Sequence, residues 1–419
     1  MTSLLIKNIF LNGRLTDVFI DKQKFCKIAP LLSVAADLEI DGKDKALIPP
    51  FYNMHTHTGM NLLRGFSDDK PLMDWLQKDI WPAEDKLTEE DVIASVRLSV
   101  LEMIKSGTVF FCDMYSHQSQ TMKVVADMGI RAFIPFAEMD FFDEKERISR
   151  QKKTLDYLKL PNPAPDRILK GLACHSIYTV SEELFRWTVE KCQENGLFLH
   201  IHAAETQTEE DECRQKYGCS VIDRIQFYGA LTNKTILAHS VYVSPKDSRK
   251  IAKSGACVVT CPCSNMKLAS GLFPFQQMKK EGVCVTIGTD STASNNNLNM
   301  LEEMKFAALS AKIQSGDSSA ASAEDVFRCA VLNAPCFFGI NAGKIEQGAF
   351  ADCLLIDLNN VSLVPNYNLV SNLVYSAGPE CVHSVICNGR LIMQDRKVFQ
   401  EEEILRQASA CSEKFKKEI

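Results

Sequence analysis

Hydrophobic and polar positions divide the chain into three tracts. Up to about residue 50 the apolar positions come in threes, Leu4-Leu5-Ile6, Val18-Phe19-Ile20 and Ala46-Leu47-Ile48, with turn signals at Asn12-Gly13 and Asp41-Gly42. That pattern predicts short β-strands. So short a tract cannot bury a core of its own and needs a partner elsewhere in the chain. The second tract alternates strand-length apolar runs with helix-like stretches. The runs lie at 47–54, 107–115, 131–139, 168–177, 197–204, 234–240, 257–263 and 283–289. Leu87 to Lys105, Glu182 to Asn195, Glu210 to Phe227 and Leu298 to Ile313 carry apolar residues at three- and four-residue spacing, as amphipathic helices do. Eight strands alternating with helices predict an α/β fold, a (β/α)8 TIM barrel. A doubly wound open sheet has the same alternation, but no Gly-x-Gly-x-x-Gly follows an early strand.

After about residue 345 the short strands return, at 351–357, 384–387 and 390–393, with Asn388-Gly389 as a hairpin turn between the last two. Glu401 to Glu418 reads as a charged amphipathic helix. Neither terminal tract has a core alone. The expectation is therefore a small composite β-sandwich domain built from residues 1–50 and 346–419, with the barrel, residues 51–345, inserted between its halves.

Composition narrows the function classes. The 419 residues carry a formal net charge of −6, which argues against a nucleic-acid partner or an anionic membrane surface. No apolar stretch approaches the ~18 residues of a membrane span. The start, Met1-Thr2-Ser3-Leu4-Leu5-Ile6-Lys7-Asn8, does not read as a signal peptide. Sixteen cysteines are scattered, often inside apolar runs, and no Cys-x-x-Cys occurs. Reduced, buried thiols in a cytoplasmic enzyme are the simplest reading.

Candidate chemistry follows from where the histidines fall. Of eight, six lie in or at the end of expected strands: His55, His57, His175, His200, His202 and His239. Strand 8 ends in Asp290. Barrel enzymes gather reactive groups at the carboxyl ends of their strands. A single strand histidine is more often a hydrogen-bonded core residue, and a strand-end aspartate is often a helix cap. Such bland readings would have to hold at strands 1, 5, 6 and 8 together. His55, His57, His202 and Asp290 can supply three imidazoles and a carboxylate to a catalytic metal with one position open for water. Glu205, three residues beyond His202, suits a proton shuttle. His239 suits orienting the hydroxide or polarising the substrate, and His200, one layer deeper, a core or supporting role.

These residues carry a resemblance. Pro50-Phe51-Tyr52-Asn53-Met54-His55-Thr56-His57, His202-Ala203-Ala204-Glu205-Thr206, Ala238-His239-Ser240 and Gly288-Thr289-Asp290-Ser291 resemble the amidohydrolase superfamily, in its mononuclear cytosine/adenosine deaminase-like branch. Met60-Asn61-Leu62-Leu63-Arg64-Gly65, Trp81-Pro82-Ala83-Glu84 and Ser264-Asn265-Met266-Lys267 make it similar to the 5′-methylthioadenosine/S-adenosylhomocysteine deaminases and the related triazine chlorohydrolases. The resemblance implies one divalent metal per chain, zinc or sometimes iron, on His55, His57, His202 and Asp290. It implies Glu205, His239 and Asp290 as catalytic residues, and Trp75, Glu84 and His175 as substrate-binding residues. It implies a small-molecule substrate, an aminopurine nucleoside or related amino-heterocycle losing ammonia, and is compatible with a homo-oligomer.

Three stretches depart from the family pattern. Phe136 stands where the deaminases carry a strand-3 arginine that binds the substrate's far end. Strand 7 reads Thr260-Cys261-Pro262-Cys263 in place of His-Asn/Cys-Pro, and no proline follows His175. These bear on the substrate more than on the metal. The alternatives are a guanine, pterin or cytosine deaminase, loss of another leaving group such as halide from a triazine, and a catalytically inactive barrel used for binding. A binuclear cyclic-amide hydrolase would need a carboxylated lysine at a strand end, and no expected strand ends in one.

Overall fold

The structure, a computed structural model, describes residues 2–415. Its centre is a barrel of eight parallel strands: Phe51–Thr56, Thr108–Asp113, Arg131–Glu138, Ile168–Cys174, Phe198–Ala203, Thr235–His239, Cys257–Thr260 and Cys284–Ile287. They are hydrogen-bonded in sequence order, each to the next. Nearly every residue in them is buried, because the barrel interior fills one face and helices cover the other.

The ends of the row meet. Asp290 N donates to His55 O at 2.9 Å. Asn53 spans the same seam, its Nδ2 donating to Thr289 Oγ1 at 2.7 Å and its Oδ1 accepting from Thr289 N at 3.0 Å. Gly288 permits that closure, since a Cβ there would lie 2.7 Å from His55 N. An open sheet is thereby excluded. Closure also carries Asp290 to His55, across the whole intervening sequence.

The terminal tracts form a second sheet. Leu4–Leu11, Arg14–Asp21, Lys24–Ala29, Leu38–Asp41 and Lys45–Ile48 join Cys353–Asp357, Val382–Cys387, Arg390–Gln394 and Lys397–Val398 in nine strands. The two ends of the chain meet where Leu47 pairs antiparallel with Leu355. The sheet curls back on itself through a bridge from Lys24 to Phe350 and encloses its own cluster, including Ile6, Ile20, Phe25, Leu47, Leu355 and Ile386. Asn12-Gly13 (φ 48°, 81°) and Asn388-Gly389 (φ 52°, 72°) make the tight turns, both residues left-handed as such two-residue hairpins require.

Two boundaries differ from the expectation. The run expected as one strand over 47–54 is two, Lys45–Ile48 in the terminal sheet and Phe51–Thr56 in the barrel. Pro49-Pro50 lies between them, and prolines have no N–H to give a ladder. The helix expected over Glu210 to Phe227 is also two, Gln207–Tyr217 and Val221–Phe227. Gly218 at φ 70° ends the first, and the Ser220 side chain, accepting from Asp223 N, starts the second. Within 346–415, helices Leu369–Tyr375 and Glu401–Ser412 pack mainly against helices of the barrel. The last helix thus ends before the expected Glu418; residues 416–418 lie outside the described residues.

A buried ion pair joins the two sheets. Arg131, at the start of the third barrel strand, donates through Nε to Asp352 Oδ2 at 2.8 Å and through Nη2 to Asn388 Oδ1 at 2.7 Å. Arg131 and Asp352 are both almost wholly buried.

Candidate active site

Backbone geometry at the strand ends aims the polar side chains inward. Ala204, His239, Ser240 and Asp290 all take left-handed backbone, at φ 51°, 67°, 48° and 62°. Such conformations cost of order 1–3 kcal/mol each in non-glycine residues and tend to mark functional sites. Here they turn the chain sharply at the ends of strands 5, 6 and 8, where Glu205, His239 and Asp290 sit.

The expected metal-binding residues converge. His55 Nε2 lies 3.2 Å from His202 Nε2 and 3.4 Å from Asp290 Oδ1, and His57 Nε2 lies 3.1 Å from the same oxygen. Two triads share His55, one with His57 and Asp290 and one with His202 and His239, each with ligand atoms within 4.8 Å of one another. The far sides of the rings are held. His57 Nδ1 donates to Met114 O at 2.6 Å and His202 Nδ1 to His175 O at 2.9 Å. Since a carbonyl only accepts, each ring keeps its proton on Nδ1 and turns Nε2 to the centre.

Electrostatics suit a cation there. Burial opposes ionisation of Asp290, but hydrogen bonds and charge from His55 and His57 hold its carboxyl well below the usual range. Burial drives His55 down to about 4 and His202 well below the ordinary histidine value, so both are neutral ligands at pH 7. His57 differs: burial opposes its charge, yet Asp290 and the Met114 carbonyl outweigh it and raise it to about 9. Three imidazole nitrogens and a carboxylate oxygen around one point fit zinc or a similar ion.

Above this cluster opens a cavity of about 500 Å³ whose lining includes Trp75, Glu84, His175, Glu205 and His239 with the metal-site residues. Burial raises Glu205 from its ordinary carboxylate value. Its Oε2 lies 3.8 Å from His239 Nε2. His239 Nδ1 donates to Asn265 Oδ1 at 2.9 Å, which leaves Nε2 on the cavity side of the ring.

Trp75, buried, donates its indole N–H to Ser67 O at 2.9 Å and gives the cavity an apolar wall. Glu84, raised by burial, hydrogen-bonds Tyr115. Both lie on a short helical segment, Leu72–Trp75 and Trp81–Glu84, interrupted by a π-helical turn at Leu76–Ile80. Such turns often occur at functional sites. His175, driven down to about 3 by burial, shares a hydrogen bond between Nδ1 and Thr179 Oγ1 at 2.9 Å. Phe136 lines the cavity, packed on Tyr157 with the Arg150 guanidinium over its ring. Cys261 is wholly buried, and burial raises it and Cys263, as it would thiols that pack as small apolar groups.

Several contributors escaped the sequence reading. Asp113 accepts from both Thr58 N and Thr58 Oγ1 at 2.9 Å and braces the turn after His57. Ser264 and Ser294 donate to Asp290 Oδ2 at 2.6 and 3.0 Å, leaving Oδ1 for the centre. Asp113 ends a strand, a signal that was present. Ser264 and Asn265 stand in a stretch that carried the resemblance, but nothing in the sequence assigned them, or Ser294, these partners.

A model of the amidohydrolase family matches residues 46–392, most of the chain. The chain belongs to the amidohydrolase family. Family members similar to it include a 5-methylthioadenosine/S-adenosylhomocysteine deaminase from Thermococcus sibiricus, 39% identical over 90% of this chain and 89% of its own. A 5'-deoxyadenosine deaminase from Methanococcoides burtonii is 37% identical over 94% of this chain and 92% of its own. Among solved structures, an adenosine deaminase from Xanthomonas campestris with bound zinc superimposes with a TM-score of 0.92. It is 28% identical, with 99% of this chain and 98% of that chain covered.

Proposed function

We propose that this amidohydrolase is a metal-dependent hydrolytic deaminase of an aminopurine nucleoside, of the adenosine, 5′-methylthioadenosine and S-adenosylhomocysteine class. The observation that carries the reading is the convergence of His55, His57, His202 and Asp290 beneath a cavity that also exposes Glu205 and His239. Deaminase names on the similar proteins, and zinc in the solved one, support it. His55, His57, His202 and Asp290 would hold one divalent metal per chain, zinc foremost. When bound, such an ion lowers the pKa of water toward ~7 and makes hydroxide available at neutral pH.

The side chains divide the remaining work. Asp290 Oδ1, with Oδ2 already occupied by two serine hydroxyls, takes the proton of the attacking water. His239 accepts a hydrogen bond from that water through its Nε2 and orients it toward the ring carbon bearing the amino group. Glu205 protonates the adjacent ring nitrogen as the carbon becomes tetrahedral. The proton held by Asp290 passes to the amine, which leaves as ammonia, and Glu205 recovers its proton as the ring regains conjugation. Glu84 accepts two hydrogen bonds from a vicinal diol, and Trp75 covers the sugar or base. His175 keeps Nε2 free for a substrate atom.

We further propose that residues 51–345 are the catalytic unit, flanked by a composite domain from 1–50 and 346–419. The net charge of −6 supports a small-molecule enzyme acting without nucleic acid or membrane, in the cytoplasm, and a homo-oligomer is compatible with this. Among the described residues no helix is long and apolar enough to cross a membrane. The deciding experiment is an ammonia-release screen on zinc-replete protein with adenosine, 5′-methylthioadenosine, S-adenosylhomocysteine, guanine and a pterin. Release from the adenosine nucleosides is expected. No release from any of them sinks the proposal, and release from guanine or the pterin alone moves the substrate class.

A further inference from the structure

His200 is wholly buried on the same strand as His202, one layer below the site. Its Nε2 stands 3.1 Å from His55 Nδ1, with ring centroids 5.0 Å apart. Its Nδ1 is buried without a hydrogen-bond partner among the described residues. Behind it lies the Phe133 ring, 6.4 Å away between centroids. His55 therefore differs from the other two imidazoles of the site. The backs of His57 and His202 meet carbonyl oxygens, which only accept. The back of His55 meets an imidazole nitrogen, which can accept or donate.

A neutral imidazole has one N–H and one bare nitrogen, so the pair has two arrangements that hold the same two protons. In one, His200 Nε2–H donates to His55 Nδ1. His55 then carries its proton on Nε2, aimed at the bare Nε2 of His202 at 3.2 Å, and the chain of donors ends at the carbonyl of His175. That arrangement satisfies every N–H but gives a cation no lone pair on His55. In the other, His55 Nδ1–H donates to His200 Nε2, and His55 Nε2 is bare. The cost falls on His200, whose proton sits on Nδ1, buried with nothing to accept it.

We infer that His200 is a positioning residue whose Nε2 accepts from His55 Nδ1–H and so holds His55 in the tautomer that can bind a divalent cation. His200 Nδ1 has no partner in either arrangement, a bare acceptor in the first and an unsatisfied donor in the second, so the assignment rests on the 3.1 Å contact and on the lone pair a cation needs from His55 Nε2. This rests on the reading that the cluster holds a metal. Outer partners of metal-bound histidines fix both tautomer and ring orientation, and their loss typically weakens binding about 10–100-fold. A purely structural His200 would affect folding without distinguishing replacements by hydrogen-bonding ability.

The test measures zinc affinity by competition with a chromophoric chelator, for the wild type, His200→Phe and His200→Gln, with thermal unfolding of each metal-free protein alongside. The phenylalanine removes the acceptor, whereas the glutamine amide oxygen can stand near the place of Nε2. His200→Phe is expected to weaken zinc binding about 10–100-fold, with His200→Gln recovering most of it. Unchanged affinity in His200→Phe, or equal losses in both variants, overturns the inference. Nitrogen–proton correlation spectra of histidine-labelled, zinc-loaded wild type need neither variant to fold. Protons on Nδ1 of His55 and His200 are expected, and an Nε2–H on either overturns the inference. Wild type that binds no zinc or other divalent metal would instead overturn the metal reading itself, so the two failures are distinguishable.

Discussion

At the scale of single residues, Glu205 and Asp290 are two carboxylates that their surroundings push apart. Burial raises Glu205, while His55 and His57 outweigh burial at Asp290 and hold it ionised. A pair separated in this way suits the acid and base roles proposed for them. Under the proposed roles, Glu205→Gln keeps the four side chains proposed to hold the metal but cannot deliver the proton. Its zinc content should match wild type while kcat falls about 10²–10⁴-fold, and undiminished turnover would refute the shuttle. Glu303 makes a separate prediction about stability. It is wholly buried, bonded to Cys263 N and the Asn295 amide, and burial raises it to about 8. The folded state then binds a proton that the unfolded chain, with an ordinary glutamate, releases near pH ~4.5. Stability from this group is fully present below ~4.5 and is lost as pH rises through about 8. Its slope is at most about 1.4 kcal/mol per pH unit. Denaturant unfolding from pH 5 to 8 should show Glu303→Gln with a shallower decline than wild type, and parallel curves would remove Glu303 as the cause.

At the scale of elements, one buried ion pair sets the two sheets against each other. The Arg131–Asp352 pair ties the third barrel strand to the terminal sheet, and Asn388 binds the same guanidinium. Removing one partner leaves an uncompensated buried charge. Asp352→Ala should therefore cost about 3–5 kcal/mol in chemical denaturation, against about 1 kcal/mol or less for an exposed pair such as Lys7–Glu39. A small loss at Asp352 would mean that the two sheets hold together without the ion pair. The barrel strands themselves were legible because uninterrupted apolar runs bounded by polar residues are what a two-sided buried strand demands. Their boundaries with neighbours were less legible. Ala46-Leu47-Ile48 and Phe51 onward are equally apolar, and only pairing with different sheets separates them. Gly218 likewise split a helix that periodicity alone would continue.

At the scale of the molecule, the candidate metal site is where the closing seam of the barrel, three sharply turned strand ends and a buried histidine layer meet. A ligand that binds only the folded protein adds to its stability, by about 2.7 kcal/mol at a hundred times the dissociation constant. Removing the metal with a chelator should lower the unfolding midpoint and restoring zinc should recover it; a midpoint indifferent to both would argue against a bound metal. The sequence by itself determined the strand–helix alternation, the pairing of two coreless ends, and the placing of His55, His57, His202, His239 and Asp290 at strand ends. Those follow from local periodicity and residue chemistry, which a chain displays without folding. Only the tertiary structure brought Ser264 and Ser294 to Asp290 Oδ2, Asn265 to His239, and His200 to the back of His55. Those contacts join residues 26, 26 and 145 positions apart, and as few as 4 for Ser294 with Asp290. Hydrogen bonds depend on distance in space, and barrel closure, sharp strand-end turns and layer depth set those distances.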